Sequence, residues 1–135
     1  MKRFEIVLCL MLMQAVSIKA QLALDVSEPK IIGRKAIVPL SLRNGLSKDI
    51  ESARAIMFLI DGEGKVVGRA TGWIIGGDKN HPPLAVGRTN VFNFVVPTDG
   101  KPFVTNRLTV TQIKLANGKT ANPVTDVRVR WATSP

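Results

Sequence analysis

One histidine, nine carboxylates and no thiol are what the chain can bring to chemistry once its first twenty residues are set aside. His81 stands beside Pro82-Pro83. A serine triad would need it as base, and no nucleophile-elbow sequence accompanies it, so it reads as an exposed loop residue. Met57 is the one methionine beyond that leader, so familiar zinc and copper sites cannot be assembled from a single chain. The acids are Asp25, Glu28, Asp49, Glu51, Asp61, Glu63, Asp78, Asp99 and Asp126. They could pair as in a glycosidase, yet nearly all fall at turns or strand edges, where solvation or turn capping is their ordinary role. Asp61-Gly62-Glu63-Gly64 offers oxygens to calcium but lacks the ligand series and terminal glutamate of an EF-hand loop, and reads as a turn. No cofactor or metal is expected.

The leader itself is informative. Met1-Lys2-Arg3 is basic, residues 6–18 are apolar except for Gln14 and Ser17, and Ala20 offers a small residue for cleavage. That is the three-part plan of a secretory signal peptide over residues 1–20, with one domain expected over residues 21–135. The apolar run falls short of the roughly 20 residues of a spanning helix, and Lys19 closes it. No transmembrane span is expected after cleavage. Cys9 lies inside the run rather than at its end, which argues against a lipoprotein. Its removal leaves no cysteine, so the exported chain must be held by packing and strand pairing alone, which suits the periplasm or exterior of a bacterium.

Charge follows the same cut. Removing Lys2, Arg3, Lys19 and Glu5 takes the net charge from +9 to +7. A basic exported domain is drawn to anionic head groups, glycans or acidic proteins, in a salt-screened manner. Nucleic acid is not an expected partner: there is no tyrosine, the aromatics are assigned to the core, and export removes the usual substrates.

The elements that must position these groups read as strands. Residues 56–75 contain two apolar runs joined by Asp61-Gly62-Glu63-Gly64, a strong hairpin signal. Leu22, Leu24 and Val26 alternate with polar neighbours, as do Val38, Leu40 and Leu42. Pro39 cannot donate to a ladder, which places its strand at an edge or at a bulge. Ile56, Phe58 and Ile60 oppose Met57 and Leu59, so that strand is expected to be central and covered on both faces. The small face Gly68, Ala70 and Gly72 leaves room for Phe92, Phe94 and Val96 from a later strand. Residues 76–88 have no periodicity and read as a long loop. Leu108 and Val110 share one parity and Ile113 and Leu115 the other, which a β-bulge near Thr111 or Gln112 would repair. Asn117-Gly118 then reverses the chain, and Val127, Val129 and Trp131 are expected to face inward.

About seven short strands without an amphipathic helix imply an all-β chain, an immunoglobulin-like or fibronectin-like antiparallel β-sandwich preceded by a signal peptide helix. A small closed barrel fits the same pattern. Leu42-Arg43-Asn44, Met57-Phe58-Leu59-Ile60-Asp61, Gly64-Lys65-Val66-Val67 and Leu84-Ala85-Val86-Gly87-Arg88 with Phe92 resemble the motifs of FxLYD-type bacterial envelope domains. Met57 and Ile60 replace the family's Phe and Tyr, and Val86 its proline. The likeness runs over roughly residues 38–96 and implies a β-sandwich without catalytic residues.

These readings converge on a non-enzymatic exported envelope domain, binding or structural, whose partner is an envelope protein or an anionic surface. The alternative is a small hydrolase or carbohydrate-active domain built on the scattered acids. Arg128 and Arg130 share the outward face of the last strand, Lys114 is expected opposite them across the Asn117-Gly118 hairpin, and Arg88 ends the long loop. Together the four form the candidate basic patch.

Overall fold

A computed structural model describes residues 20–79 and 81–131. The signal-peptide helix expected over residues 1–20 lies outside them, Ala20 apart. The chain forms β1 (Leu22–Val26), β2 (Lys30–Ile32), β3 (Lys35–Asn44), β4 (Ile50–Ile60), β5 (Val66–Ile75), β6 (Thr89–Pro97), β7 (Thr105–Leu115), β8 (Thr120–Ala121) and β9 (Val127–Trp131). They make a β-sandwich of two sheets. Nine strands appear where seven were expected because β2 and β8 span only three and two residues, too few to display a period.

In the first sheet β3 pairs with β6 from Lys35 to Arg43. Its other edge is shared by β1 and β2, and β9 lies beyond β1. The second sheet runs β5-β4-β7-β8. Alternation decides which faces meet. Leu22, Leu24, Val38, Leu40, Leu42, Phe94 and Val96 come from the first sheet, and Ala53, Ala55, Met57, Leu59, Leu108, Val110 and Ile113 from the second, into one core. Each large apolar side chain withdrawn from water contributes roughly 1.5–3 kcal/mol, which is what a chain without disulfides relies on.

Local devices set the register. Asp61 accepts N–H bonds from Glu63 and Lys65 at 2.9 Å each, and Gly64 takes the positive φ of 82° that closes the β4–β5 turn. The bulge is at Thr111: Arg54 pairs with Gln112 and Ala55 with Val110, so Thr111 is the extra residue. Gly68 and Gly72 let β6 approach β5 closely. A Cβ on Gly68 would lie 2.8 Å from the Pro97 carbonyl oxygen, and one on Gly72 would meet the Phe94 ring at 4.0 Å.

Three expectations are corrected. β3 is central rather than an edge. The N–H and C=O of a strand residue address the same edge, and the Pro39 carbonyl accepts Ser27 N–H at 2.9 Å. The missing donor therefore faces the crossing between β1 and β2, where no ladder bond is lost. β4 is central but covered once: Met57 and Leu59 are buried, whereas Ile56, Phe58 and Ile60 are only half-buried on the outer face. Trp131, expected inward, is 39% exposed. β9 is the outermost strand of its sheet and Trp131 stands at its end, so few neighbours cover the ring.

The β1–β9 pair is parallel, a departure from the antiparallel plan. After β8 the chain leaves the second sheet, crosses through residues 122–126, and runs back alongside β1 in the first. Asp126 stabilises the crossing by accepting Asn122 N–H at 2.8 Å.

Candidate binding face

The four cations expected to gather are divided between the sheets. Arg128 and Arg130 point outward from β9, in register with Ala23 and Asp25 of β1. Arg130 donates to both Asp25 oxygens, from Nε at 2.9 Å and from a terminal nitrogen at 3.2 Å. That hydrogen bond, and then the carboxylate charge, raise its pKa above the ordinary value. Arg43, paired with Ala23 in the same row, joins Arg128 on this face. Arg88 immediately precedes Thr89, which pairs with Arg43, so it belongs to the same sheet end. Lys114 does not. The turn after β7 leads only into β8, so Lys114 lies opposite Thr120 and Ser52 in the other sheet, with Nζ 3.8 Å from Glu51.

A second basic face is built on that other sheet, and the parity of the strands exposes it once their order is known. Ladder pairing sets the outer side chains in rows: Trp73, Arg54 and Gln112; Thr71, Ile56 and Thr109; Arg69, Phe58 and Arg107. Arg54 stacks over the Trp73 ring at 5.1 Å, holding a guanidinium and an indole side by side. Arg69 and Arg107 flank half-buried Phe58 on strands about 10 Å apart. β5 and β7 contain no acid, and the one acid of β4, Glu51, is paired with Lys114. The face is therefore cationic around an apolar centre. Ile56, Phe58 and Ile60 share one parity of the sequence; the arginines of β4, β5 and β7 come together around them only through the strand order.

The long loop of residues 76–88 is well tied. Leu84 is buried and exchanges backbone hydrogen bonds with Ile50 at 2.9 Å, and Val86 N–H donates to Asp49 at 2.9 Å. His81 is half-buried rather than exposed: its side chain is 19% exposed, its Nδ1 lies 2.7 Å from Asp78, and its ring packs T-shaped with Phe92, the centroids 4.9 Å apart. A shallow hollow of about 380 Å³ joins His81 and Asp78 to Glu51, Ser52 and Lys114. Asp49, Asp61 and Asp126 cap backbone N–H groups, while Asp25 and Glu51 hold cations. These acids are spread over both sheets and are not gathered into one site.

No family model matches the chain, and neither does any curated protein. Among solved structures, the crystal structure of a Bordetella pertussis protein provisionally assigned as ApaA has a TM-score of 0.52 and 22% identity, covering 75% of this chain and 86% of that one. At that identity the likeness is one of fold.

Proposed function

We propose that the chain is a non-enzymatic binding domain of the bacterial envelope, which engages an acidic partner through the outer face of the four-stranded sheet. The observation that carries this reading is the placing of Arg54, Arg69 and Arg107 around Ile56 and Phe58 with no unpaired acid on the same strands. A cationic rim around an apolar centre steers an anionic partner and then gives it a surface to desolvate. Export rests on the leader sequence. It is supported by the start of the fold: Leu22 N–H donates to the Asp126 carbonyl at 2.8 Å and Gln21 Nε2 to the Thr125 carbonyl at 3.0 Å. A cut after Ala20 leaves both bonds in place.

The FxLYD resemblance is part of the same proposal, and it is supported by Asn44 and Leu84, two of its marker positions, bonding to each other at 3.0 Å. Binding of the Arg69→Glu/Arg107→Glu variant to immobilised poly-glutamate tests the reading, beside Arg43→Glu/Arg128→Glu on the opposite sheet. The first should bind roughly tenfold more weakly than the parent in a salt-dependent way, and the second nearly as well. Equal loss in both would leave only generic charge and overturn the face.

A further inference from the structure

The last strand of the fold is split, and the split leaves a sheet edge open. β8 pairs with β7 only at Ile113 and Lys114, and β9 is in the other sheet. Among the described residues, the far edge of residues 105–112 has no strand beside it. The direction of each peptide group there follows from β4. Asp61 donates its N–H toward β5, to Lys65 at 2.9 Å. Successive strand residues address opposite edges, so Ile60, Phe58 and Ile56 address β7. Their partners Thr105, Arg107 and Thr109 bond back to them. Asn106, Leu108 and Val110 therefore turn their N–H and C=O groups to the open edge.

Beside that edge lies a cleft of about 410 Å³, whose lining includes Val26, Ile31, Phe103, Val104 and Trp131. Ile31 is 58% exposed and Val104 72%. Leu108 and Val110 are the most exposed members of the buried core. The apolar interior is thus least covered where the backbone is unpaired.

We propose that this edge and cleft take up one extended segment of an acidic partner protein, added to β7 as a further strand. Alternate side chains of an added strand face opposite ways. Those turned inward would lie beside Leu108 and Val110, which favours apolar ones. Those turned outward would lie beside Thr105, Arg107 and Thr109, on the cationic face, which favours acids. The acidic character rests on the reading of that face given above; the strand site rests on the open edge. A second copy of this chain is a poorer occupant, because it brings its own Arg107 and a net charge of the same sign.

Hydrogen exchange followed residue by residue on the whole chain tests this, with a ten-residue peptide of alternating valine and glutamate as probe. The Asn106, Leu108 and Val110 amides should exchange freely alone and slow at least tenfold with the peptide, while the same peptide with lysine for glutamate protects none. Asn106→Pro removes one open-edge donor and leaves the backbone ladder to β4 intact, losing there only the side-chain bond from Asn106 Nδ2 to the Met57 sulfur at 3.8 Å, and should abolish protection at Leu108 and Val110. Should that variant not fold, the contrast between the two peptides on the parent chain decides. Equal protection by both peptides overturns the acidic partner and the reading of the face with it. Protection by neither overturns the strand site alone. Amides already slow in the free chain also overturn it: loss of that slowness on removing residues 132–135 assigns the edge to the chain's own end, and dependence on protein concentration assigns it to a second copy.

Discussion

The fully buried side-chain amide of Asn44 donates to the carbonyl of Leu84 at 3.0 Å, joining the end of β3 to the middle of the long loop forty residues on. The same nitrogen donates to the Lys48 carbonyl at 2.9 Å, and Oδ1 accepts Leu46 N–H at 2.9 Å. The Asn44 backbone completes the junction, with its N–H on the Arg88 carbonyl at 3.0 Å and its C=O taking Gly87 N–H at 2.8 Å. One side chain thus closes two loops at once.

Asn44→Ala would orphan the Lys48 carbonyl and the Leu46 N–H and take from the Leu84 carbonyl one of its two bonds, the other coming from Ile50 N–H, at a cost of about 1–3 kcal/mol. Asn44→Asp would not rescue it, because a carboxylate accepts where Leu84 and Lys48 need a donor. Urea unfolding should place both variants well below the parent. A midpoint within error of the parent would mean that water replaces the amide.

Gly68 carries the closure of the sandwich on its other side. Gly68→Val would drive a branched side chain into the Pro97 carbonyl and the Leu59 side chain, whose Cδ1 lies 2.9 Å from the site of a Cβ. Overpacking of this kind costs about 1–3 kcal/mol. Gly62→Ala, with nothing within 4 Å, is the matched control and should melt close to the parent.

The parts of the fold legible in the sequence are those set by neighbours along the chain. The β4–β5 hairpin, the Thr111 bulge and the small face of β5 opposite Phe94 each follow from period or turn chemistry. Pairing across the chain is different. Nothing local tells Pro39 that its missing donor will face a crossing, or tells β9 that Asp25, 105 residues earlier, awaits Arg130. The four cations are divided at that step, because Asn117-Gly118 opens only the two residues of β8 rather than a full hairpin with β9. The cationic outer face was missed for the same reason: its three arginines come from three strands.

Trp131 measures how open the cleft is. A tryptophan buried in a core costs about 3–5 kcal/mol on truncation, but Trp131 is 39% exposed and lines the cleft beside Val26 and Phe103. Trp131→Ala should therefore cost only about 1–2 kcal/mol. Its indole fluorescence should also be quenched by acrylamide more readily than that of half-buried Trp73, compared by removing one tryptophan at a time. A loss of the full core magnitude would mean that the cleft is closed over the ring.

Thr111 offers the sharpest test of the register. Leu108 and Val110 face inward on one parity and Ile113 on the other, and the chain reconciles them by setting Thr111 and Gln112 together opposite Arg54. Deleting Thr111 makes the strand regular. Val110 stays opposite Ala55, Gln112 opposite Arg54 and Ile113 opposite Ala53, so every core side chain keeps its face and only the local twist and the Thr111 Oγ1 bond to the Arg54 carbonyl, 3.3 Å, are lost. Deleting Thr109 instead forces either Leu108 out of the core or Thr111 into it. The first deletion should cost less than about 2 kcal/mol, and the second should approach the about 2–5 kcal/mol of losing a core leucine. Urea unfolding of the two deletions side by side would decide, and equal losses would mean that the bulge supports the sheet rather than merely absorbing a residue.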